Sequence, residues 1–285
     1  MDTGPPHETC HVIDHLPDDL PPRRRAGLVV AVVVCFAIVS FMLWLRTSRY
    51  WPLPITVLDR SLAVDGEHRE YRLVIPDARR EGELTPVVFA LHGALETTSE
   101  MAGYTGLDQL AAKYGFLLVY LQGRHSNWPP FIPADNPSFV LPDLRFFEAM
   151  RKEMVSKHRA DPQRVYVVGV SQGGAMANLL TAKCSNLITA TVCCCGWLPK
   201  PLGLEPLNTQ YKCPMLFIVG SQDRQVSPEI VRSAHDAFAH DGHPVEWRTI
   251  DGFGHGWPRD EGINDDIWLF LSSHRLPDAS LPQGG

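Results

Sequence analysis

Arg164-Val165-Tyr166-Val167-Val168-Gly169-Val170-Ser171-Gln172-Gly173-Gly174-Ala175-Met176-Ala177-Asn178-Leu179-Leu180 is the stretch on which the fold turns. Its first half is an apolar, valine-rich run that reads as a buried strand, and Ala175 to Leu180 reads as a helix. Between them lies Gly-x-Ser-x-Gly, with Ser171 at its centre. A strand that runs through this pentapeptide straight into a helix makes a turn so tight that the serine backbone is strained. Only glycines two before and two after tolerate the close approach. The hydroxyl then projects from the top of the sheet, beside a helix N-terminus that favours developing negative charge. Ser171 is therefore the candidate nucleophile.

A serine needs a base, and the base needs an orienting acid; on this scaffold they follow in the order serine, acid, histidine, each after its own strand. Cys213 to Gly220 reads as a short buried strand, and Asp223 follows it. Val245 to Ile250 alternates like a strand, and His255 follows within the glycine-rich loop Asp251 to Pro258. His255 is the candidate base and Asp223 the candidate acid. Asp251 is the competing acid, but its closeness to His255 requires the loop to fold back sharply. Of the 12 histidines, His125, His235, His240 and His243 do not follow a late strand. The two donors for a tetrahedral oxyanion are read as the backbone N–H groups of Gln172 and Ala94, the latter in the loop after the strand Pro86 to Leu91. His92, in the same loop, reads as a structural brace.

These segments carry a resemblance. Leu91-His92-Gly93-Ala94 with Tyr104 to Tyr120, Asp161 to Ala177, and Gly254-His255-Gly256-Trp257-Pro258 resemble the polyhydroxybutyrate depolymerase and feruloyl esterase group of α/β-hydrolases. The resemblance extends from about Leu62 to Leu271. It implies an extracellular or envelope carboxylic-ester hydrolase that works through an acyl-enzyme, with no metal and no organic cofactor. One departure is Ala175, which intervenes between the second glycine and Met176.

The remaining sequence frames that domain. The chain has 285 residues, 45% hydrophobic and 20% charged, enough for one full α/β core. Its net charge of −6 and lack of a basic stripe argue against a nucleic-acid partner. A hairpin turning at Asp65-Gly66 is followed by strands alternating with helices over Leu107–Lys113, Leu144–His158, Pro228–His240 and Asp265–His274. That order specifies an α/β-hydrolase fold, a mostly parallel central sheet with helices on both faces.

Residues 26–45 are about twenty apolar residues without a charge, long enough to cross a bilayer as a helix. They end in the bulky Phe41-Met42-Leu43-Trp44-Leu45, without the small-residue pattern of a signal-peptidase site. The reading is an uncleaved signal-anchor, with secretion after cleavage as its rival. Arg23-Arg24-Arg25 ahead of the span places the N-terminus in the cytoplasm and the enzyme outside. The expected organisation is a polar tail over 1–25, the span over 26–45, a linker over 46–60, the catalytic domain over 61–275 and a frayed tail over 276–285.

Seven cysteines include Cys35 within the span and the triplet Cys193-Cys194-Cys195. The triplet reads as small buried thiols, with Cys184 to a triplet member or to Cys213 as a possible single bridge. No ligands stand at zinc-finger spacing. Only 17 residues separate Gly196 from Pro214, too few for a helical cap, so an open site is expected. Trp257, Trp128, Phe131 and Trp197 are the candidate substrate contacts. Two other readings share these residues: a tethered peptidase or acyltransferase, and a catalytically silent binding protein of the same fold.

Overall fold

The computed structural model describes residues 33–40, 53–79, 82–129, 136–199, 206–259 and 262–277. Its contacts divide the chain into Met1–Pro52 and Leu53–Gly285. In the first unit, residues 33–40 form helix α1, with Val33, Val34, Phe36, Ile38 and Val39 exposed. The rest of the 26–45 span lies outside the described residues. Among those described, no helix is long and apolar enough to cross a membrane.

The second unit is built on eight strands. These are β1 (Ile55–Val64), β2 (Glu67–Pro76), β3 (Thr85–Leu91), β4 (Leu117–Leu121), β5 (Ala160–Val170), β6 (Ala190–Cys194), β7 (Met215–Gly220) and β8 (Val245–Ile250). They lie in the order β1-β2-β4-β3-β5-β6-β7-β8, in one sheet. β1 and β2 are antiparallel, as are β2 and β4, and every pair beyond them is parallel. The crossing helices are α2 (Thr98–Thr105), α3 (Leu107–Tyr114), α4 (Leu141–His158), α5 (Gln172–Cys184), α6 (Pro228–His240) and α7 (Ile263–Ser272). Parallel strands must be joined by crossovers, and the helices in those crossovers cover both faces.

The period of two along each strand sorts the core. Phe89, Leu91, Val165, Val167 and Val119 face α4 and α5, packing on Phe147, Met150, Leu179 and Leu180. The alternate positions Val88, Ala90, Leu118, Tyr166 and Val168 face α3 and α7, packing on Leu110, Ile267, Trp268 and Leu271. A third cluster joins Phe217 and Val219 of β7 to Val231 and Phe238 of α6. Because both of their faces are buried, the central strands β4, β6 and β7 read as continuous apolar runs instead of alternating ones.

The hairpin turns as the Asp-Gly pair requires, with Asp65 at φ 52° and Gly66 at φ 83°, the paired left-handed residues of a type I′ turn. Its strands run further than the sequence suggested. β1 starts at Ile55, so part of the expected 46–60 linker is strand, paired with β2 residue by residue up to Pro76. The physical reason is amphipathic: Ile55 and Val57 pack on one core cluster, and Leu58, Leu62 and Val64 on the other. Helix α2 has no counterpart in the sequence reading. Its apolar periodicity is weak, and a capping box between Thr97 and Glu100 starts it. Among the described residues no disulfide forms: Cys35, Cys184, Cys193, Cys194, Cys195 and Cys213 are all free, so the expected single bridge is corrected.

One buried ion pair ties the antiparallel edge to α4. Arg69 on β2 donates to Asp143 at 2.6 Å, with both side chains about 95% buried. The guanidinium also donates to the carbonyls of Pro142 and Gln122 and lies 4.3 Å from the Phe146 ring centre. Burial pushes the Asp143 carboxyl above its ordinary range, against the pull of Arg69. Asp143→Ala leaves the guanidinium buried without its counter-charge and should cost roughly 3–5 kcal/mol in urea unfolding. The double change Arg69→Met, Asp143→Leu should recover most of that loss; equal losses in both proteins would contradict this account.

Candidate active site

Ser171 sits at φ 54° and ψ −119°, a conformation that side-chain-bearing residues adopt only under strain. Two glycines make it possible. A Cβ on Gly169 would lie 2.1 Å from the Gly173 carbonyl oxygen, and one on Gly173 would lie 2.0 Å from that of Leu91. No side chain fits at either position. The Ser171 N–H is held by the Cys194 carbonyl at 2.9 Å, which fixes the elbow to the end of β6.

Asp223 follows β7 and is buried. Its Oδ1 accepts from the backbone N–H groups of Gln225 at 2.9 Å and Val226 at 3.0 Å, leaving Oδ2 to accept from His255 Nδ1 at 2.8 Å. His255 Nε2 lies 2.8 Å from Ser171 Oγ. The proton on Nδ1 follows from this network: a carboxylate can only accept, so Nε2 is left to face the hydroxyl. The histidine loop is seated on the end of β7, where Gln222 N–H donates to the Phe253 carbonyl. A Cβ on Gly220 would lie 2.3 Å from the carbonyl oxygens of Phe253 and Gly254. Asp251, the competing acid, is exposed in the turn after β8, and His255 bonds Asp223 instead.

Ala94 lines a cavity of about 460 Å³ together with Ser171, His255 and Trp257. The N–H groups of Ala94 and Gln172 donate to no described residue, which leaves them available to an oxygen placed near Ser171. The loop that carries Ala94 is braced from behind. His92 is fully buried, and its Nε2 accepts from the Gly123 N–H at 2.9 Å. Burial lowers the His92 pKa, keeping the ring neutral and able to accept that bond.

The aromatic candidates divide. Trp257 lines the cavity and is fixed by a bond from its Nε1 to Asn264 at 3.0 Å. Trp128 is buried, and its Nε1 donates to the His92 carbonyl at 3.0 Å. It supports the oxyanion loop from within the core and is corrected as a substrate contact. Trp197 packs against the β7–α6 cluster and does not line the cavity either. Phe131 lies outside the described residues. The cavity wall also holds Glu96, Tyr104 and Gln225, which the sequence reading did not single out. Glu96 Oε2 accepts from the Gly93 N–H at 2.9 Å and from the Tyr104 hydroxyl at 2.7 Å.

Cys195 is the other unforeseen neighbour. It follows β6 at φ 43°, and its thiol lies within 4.8 Å of the ligand atoms of Asp223 and His255. Its hydrogen bond with His255, with the Asp223 carboxylate on the same side, raises the imidazole to about 9 despite partial burial. The Cys194 contact and the imidazole together lower the Cys195 thiol to about 6.

Two family models match the chain: "Serine hydrolase (FSH1)" over residues 148–267 and "Esterase PHB depolymerase" over residues 70–198. NocK of Nocardia uniformis subsp. tsuyamanensis, named as a candidate esterase, is 32% identical over 59% of this chain and 49% of its own length. Feruloyl esterase B of Neurospora crassa is 34% identical over 34% of each chain. Poly(3-hydroxyalkanoate) depolymerase C of Paucimonas lemoignei is 26% identical over 62% of this chain and 56% of its own. The chain thus spans about half or less of the first two relatives. Among solved structures, an S-formylglutathione hydrolase from Agrobacterium tumefaciens superposes with a TM-score of 0.62 at 14% identity, covering 80% of this chain and 98% of that one. A thermostable esterase gives 0.60 at 20% identity, over 77% and 63%. The fold is that of the α/β-hydrolases, and the resemblance to polyhydroxybutyrate depolymerases and feruloyl esterases is borne out.

Since Asp223 and Cys195 both favour the imidazolium, His255 should titrate near pH 9 by NMR. Cys195→Ser should bring its pKa down toward the ordinary value of about 6.5. A wild-type pKa at or below that value would refute the proposed influence of these neighbours.

Proposed function

We propose that this α/β-hydrolase, similar to polyhydroxybutyrate depolymerases and feruloyl esterases, hydrolyses carboxylic esters through Ser171, His255 and Asp223. The observation that carries the reading is the continuous chain of two 2.8 Å hydrogen bonds from Asp223 through His255 to Ser171. Ser171 Oγ attacks the ester carbonyl while His255 Nε2 takes its proton. The tetrahedral oxyanion is held by the N–H groups of Gln172 and Ala94, in a place fixed before the substrate arrives. His255 then protonates the leaving alcohol, and the acyl group remains on Ser171. Water, deprotonated by the same imidazole, releases the acid and restores the serine. Asp223 holds Nδ1–H throughout and steadies the imidazolium at both stages.

The cavity wall supports a substrate class. Glu96, Tyr104 and Gln225 make the wall close to Ser171 polar, which suits a polar ester better than a long-chain lipid ester. Esters whose acyl or alcohol part carries hydroxyl groups, such as hydroxyacyl or acetyl-sugar esters, match that polarity. A larger cleft of about 620 Å³ between β2 and the loop after β4 is lined by His68, His125, Thr97 and Ser126, but the Thr97 hydroxyl bonds Glu100 and not an imidazole, so the chemistry is assigned to the smaller cavity, where hydroxyl and imidazole meet.

Residues 26–45 are the proposed anchor, with the catalytic unit outside the cytoplasm. In support, the apolar side chains of the described part of that segment are exposed, Phe36 at 75%, and lipid is the solvent that suits them. Full-length chain should stay with membranes through alkaline carbonate, and chain starting at residue 49 should be soluble and active. A mature N-terminus near Arg46 would instead identify a cleaved signal.

A fluorophosphonate probe should label Ser171, and Ser171→Ala should fold normally while losing roughly 10⁴-fold or more of its ester turnover. Retention of a tenth of wild-type activity sinks the assignment. His255→Ala should match that loss, and Asp223→Asn should cost less. If Asp251→Asn proves the more damaging aspartate change, the acid is misassigned. Only the neutral imidazole accepts a proton, so kcat/KM should be lost as pH falls through the His255 pKa of about 9. A profile flat from pH 6 to 9 would contradict this.

A further inference from the structure

Cys195, Asp223 and His255 are far apart in sequence, but the parallel sheet brings their strand ends together. Cys195 follows β6, Asp223 follows β7, and His255 follows β8. Each offers one ligand atom, and the three atoms lie within 4.8 Å of one another. They are a thiol sulfur, a carboxylate oxygen and an imidazole nitrogen, the donor types that zinc and its thiophilic relatives prefer. The Cys195 Sγ meets the Cys194 thiol, the imidazole and, at 3.7 Å, the Gly256 carbonyl, so it is held only by sulfur hydrogen bonds, which are weak. Ester hydrolysis by the triad has no use for a thiol here.

We propose that these three residues form an inhibitory binding site for a thiophilic divalent cation, zinc being the model ion, and that its occupation disarms the triad. Tetrahedral zinc with bonds of about 2.0–2.3 Å needs donors spaced by roughly 3.3–3.8 Å. The Nδ1–Oδ2 separation of 2.8 Å must open slightly and the sulfur must draw in, both within the reach of small side-chain rotations. The ion reaches the site through the cavity lined by Ser171, His255 and Gly256, and the fourth coordination position is left to water.

The chemical consequence follows from the tautomer. In the active arrangement Nδ1 carries the proton given to Asp223, and Nε2 has the lone pair that faces Ser171. When the cation takes the Nδ1 lone pair, the neutral ring must carry its proton on Nε2. Nε2 then faces the Ser171 hydroxyl as a donor and cannot accept its proton. The Cys195–His255 pair holds two protons before binding and keeps one, on Nε2, so one proton leaves to solvent; Asp223 remains a carboxylate, and no bond other than the coordinate ones is made. Inhibition is therefore reversible and complete at saturation.

The site lies inside the triad proposed above, so binding and inhibition need separate readouts. For inhibition, ester turnover is measured against buffered free zinc, each protein relative to its own zinc-free rate. Wild type should lose at least tenfold of its activity at micromolar zinc and recover it with EDTA. Cys195→Ser should require at least about 30-fold more zinc for the same fractional loss, since loss of a direct thiolate ligand costs no less than the roughly 10–100-fold of losing an outer-shell partner. No zinc inhibition, or equal zinc midpoints in the two proteins, overturns the proposal.

For binding, cadmium is titrated into full-length protein carrying Ser171→Ala, with Cys10→Ser and Cys35→Ser removing the thiols of the N-terminal unit. A cadmium–thiolate charge-transfer band saturating at one ion per chain is the expected result, abolished by Cys195→Ala. Its absence, or its survival in Cys195→Ala, overturns the proposal even where the serine variant does not fold. The expected cadmium band together with a wild-type protein that has no ester turnover would instead leave the ion site standing and remove the esterase reading.

Discussion

The backbone contact between Gly169, Gly173 and Leu91 governs the rest of the site. With no Cβ at either glycine, the start of α5 packs directly on the ends of β5 and β3. That approach turns the chain sharply enough to hold Ser171 in its strained conformation and to aim the N-terminus of α5 at the same point. The strain is supported by burial: the strands on either side of the elbow are inaccessible to solvent, and Ser171 N–H is tied to Cys194. Relief of the turn would require pulling a helix off the centre of the sheet. The strained serine is thus fixed by the packing of two core clusters and costs the site no mobility.

Electrostatics at the base is set by a different feature, the convergence of three parallel strand ends. Asp223 is oriented by two backbone N–H groups before it meets His255, so the imidazole finds a fixed acceptor. Cys195 adds a second group with negative character on that side. In a partly buried setting each acts strongly, since little water intervenes. The arrangement favours a charged imidazole, which helps after the serine has given up its proton and hinders before. Cavity polarity acts on the same balance: Glu96 is held by Gly93 and Tyr104, beside the loop that offers the Ala94 N–H.

Much of this was legible in the chain itself. The valine-rich run into Gly-x-Ser-x-Gly specified a buried strand, a tight turn and a helix, because few backbone paths accommodate two glycines and a serine at that spacing. The apolar run before Asp223 and the alternating run before His255 marked strands by their periodicity, and Asp65-Gly66 specified its hairpin turn. Less was legible at the edges. β1 carries apolar residues for both core clusters and reads ambiguously, and α2 lacks periodicity and is started by a capping box.

What sequence could not reach is what depends on distance across the sheet. Trp128 and Trp257 look alike as aromatic residues in loops near glycine. Yet one braces His92 from the core while the other faces the cavity, since their loops leave different strands. Cys195 read as one of three small buried thiols; its place beside His255 follows from the register of β5, β6 and β7, which no local spacing encodes. The sequence by itself determined the elbow, the order of the site residues and the α/β architecture, because those rest on local backbone geometry and periodicity. The tertiary structure alone decided which side chains meet around His255, because strand order and register set those distances.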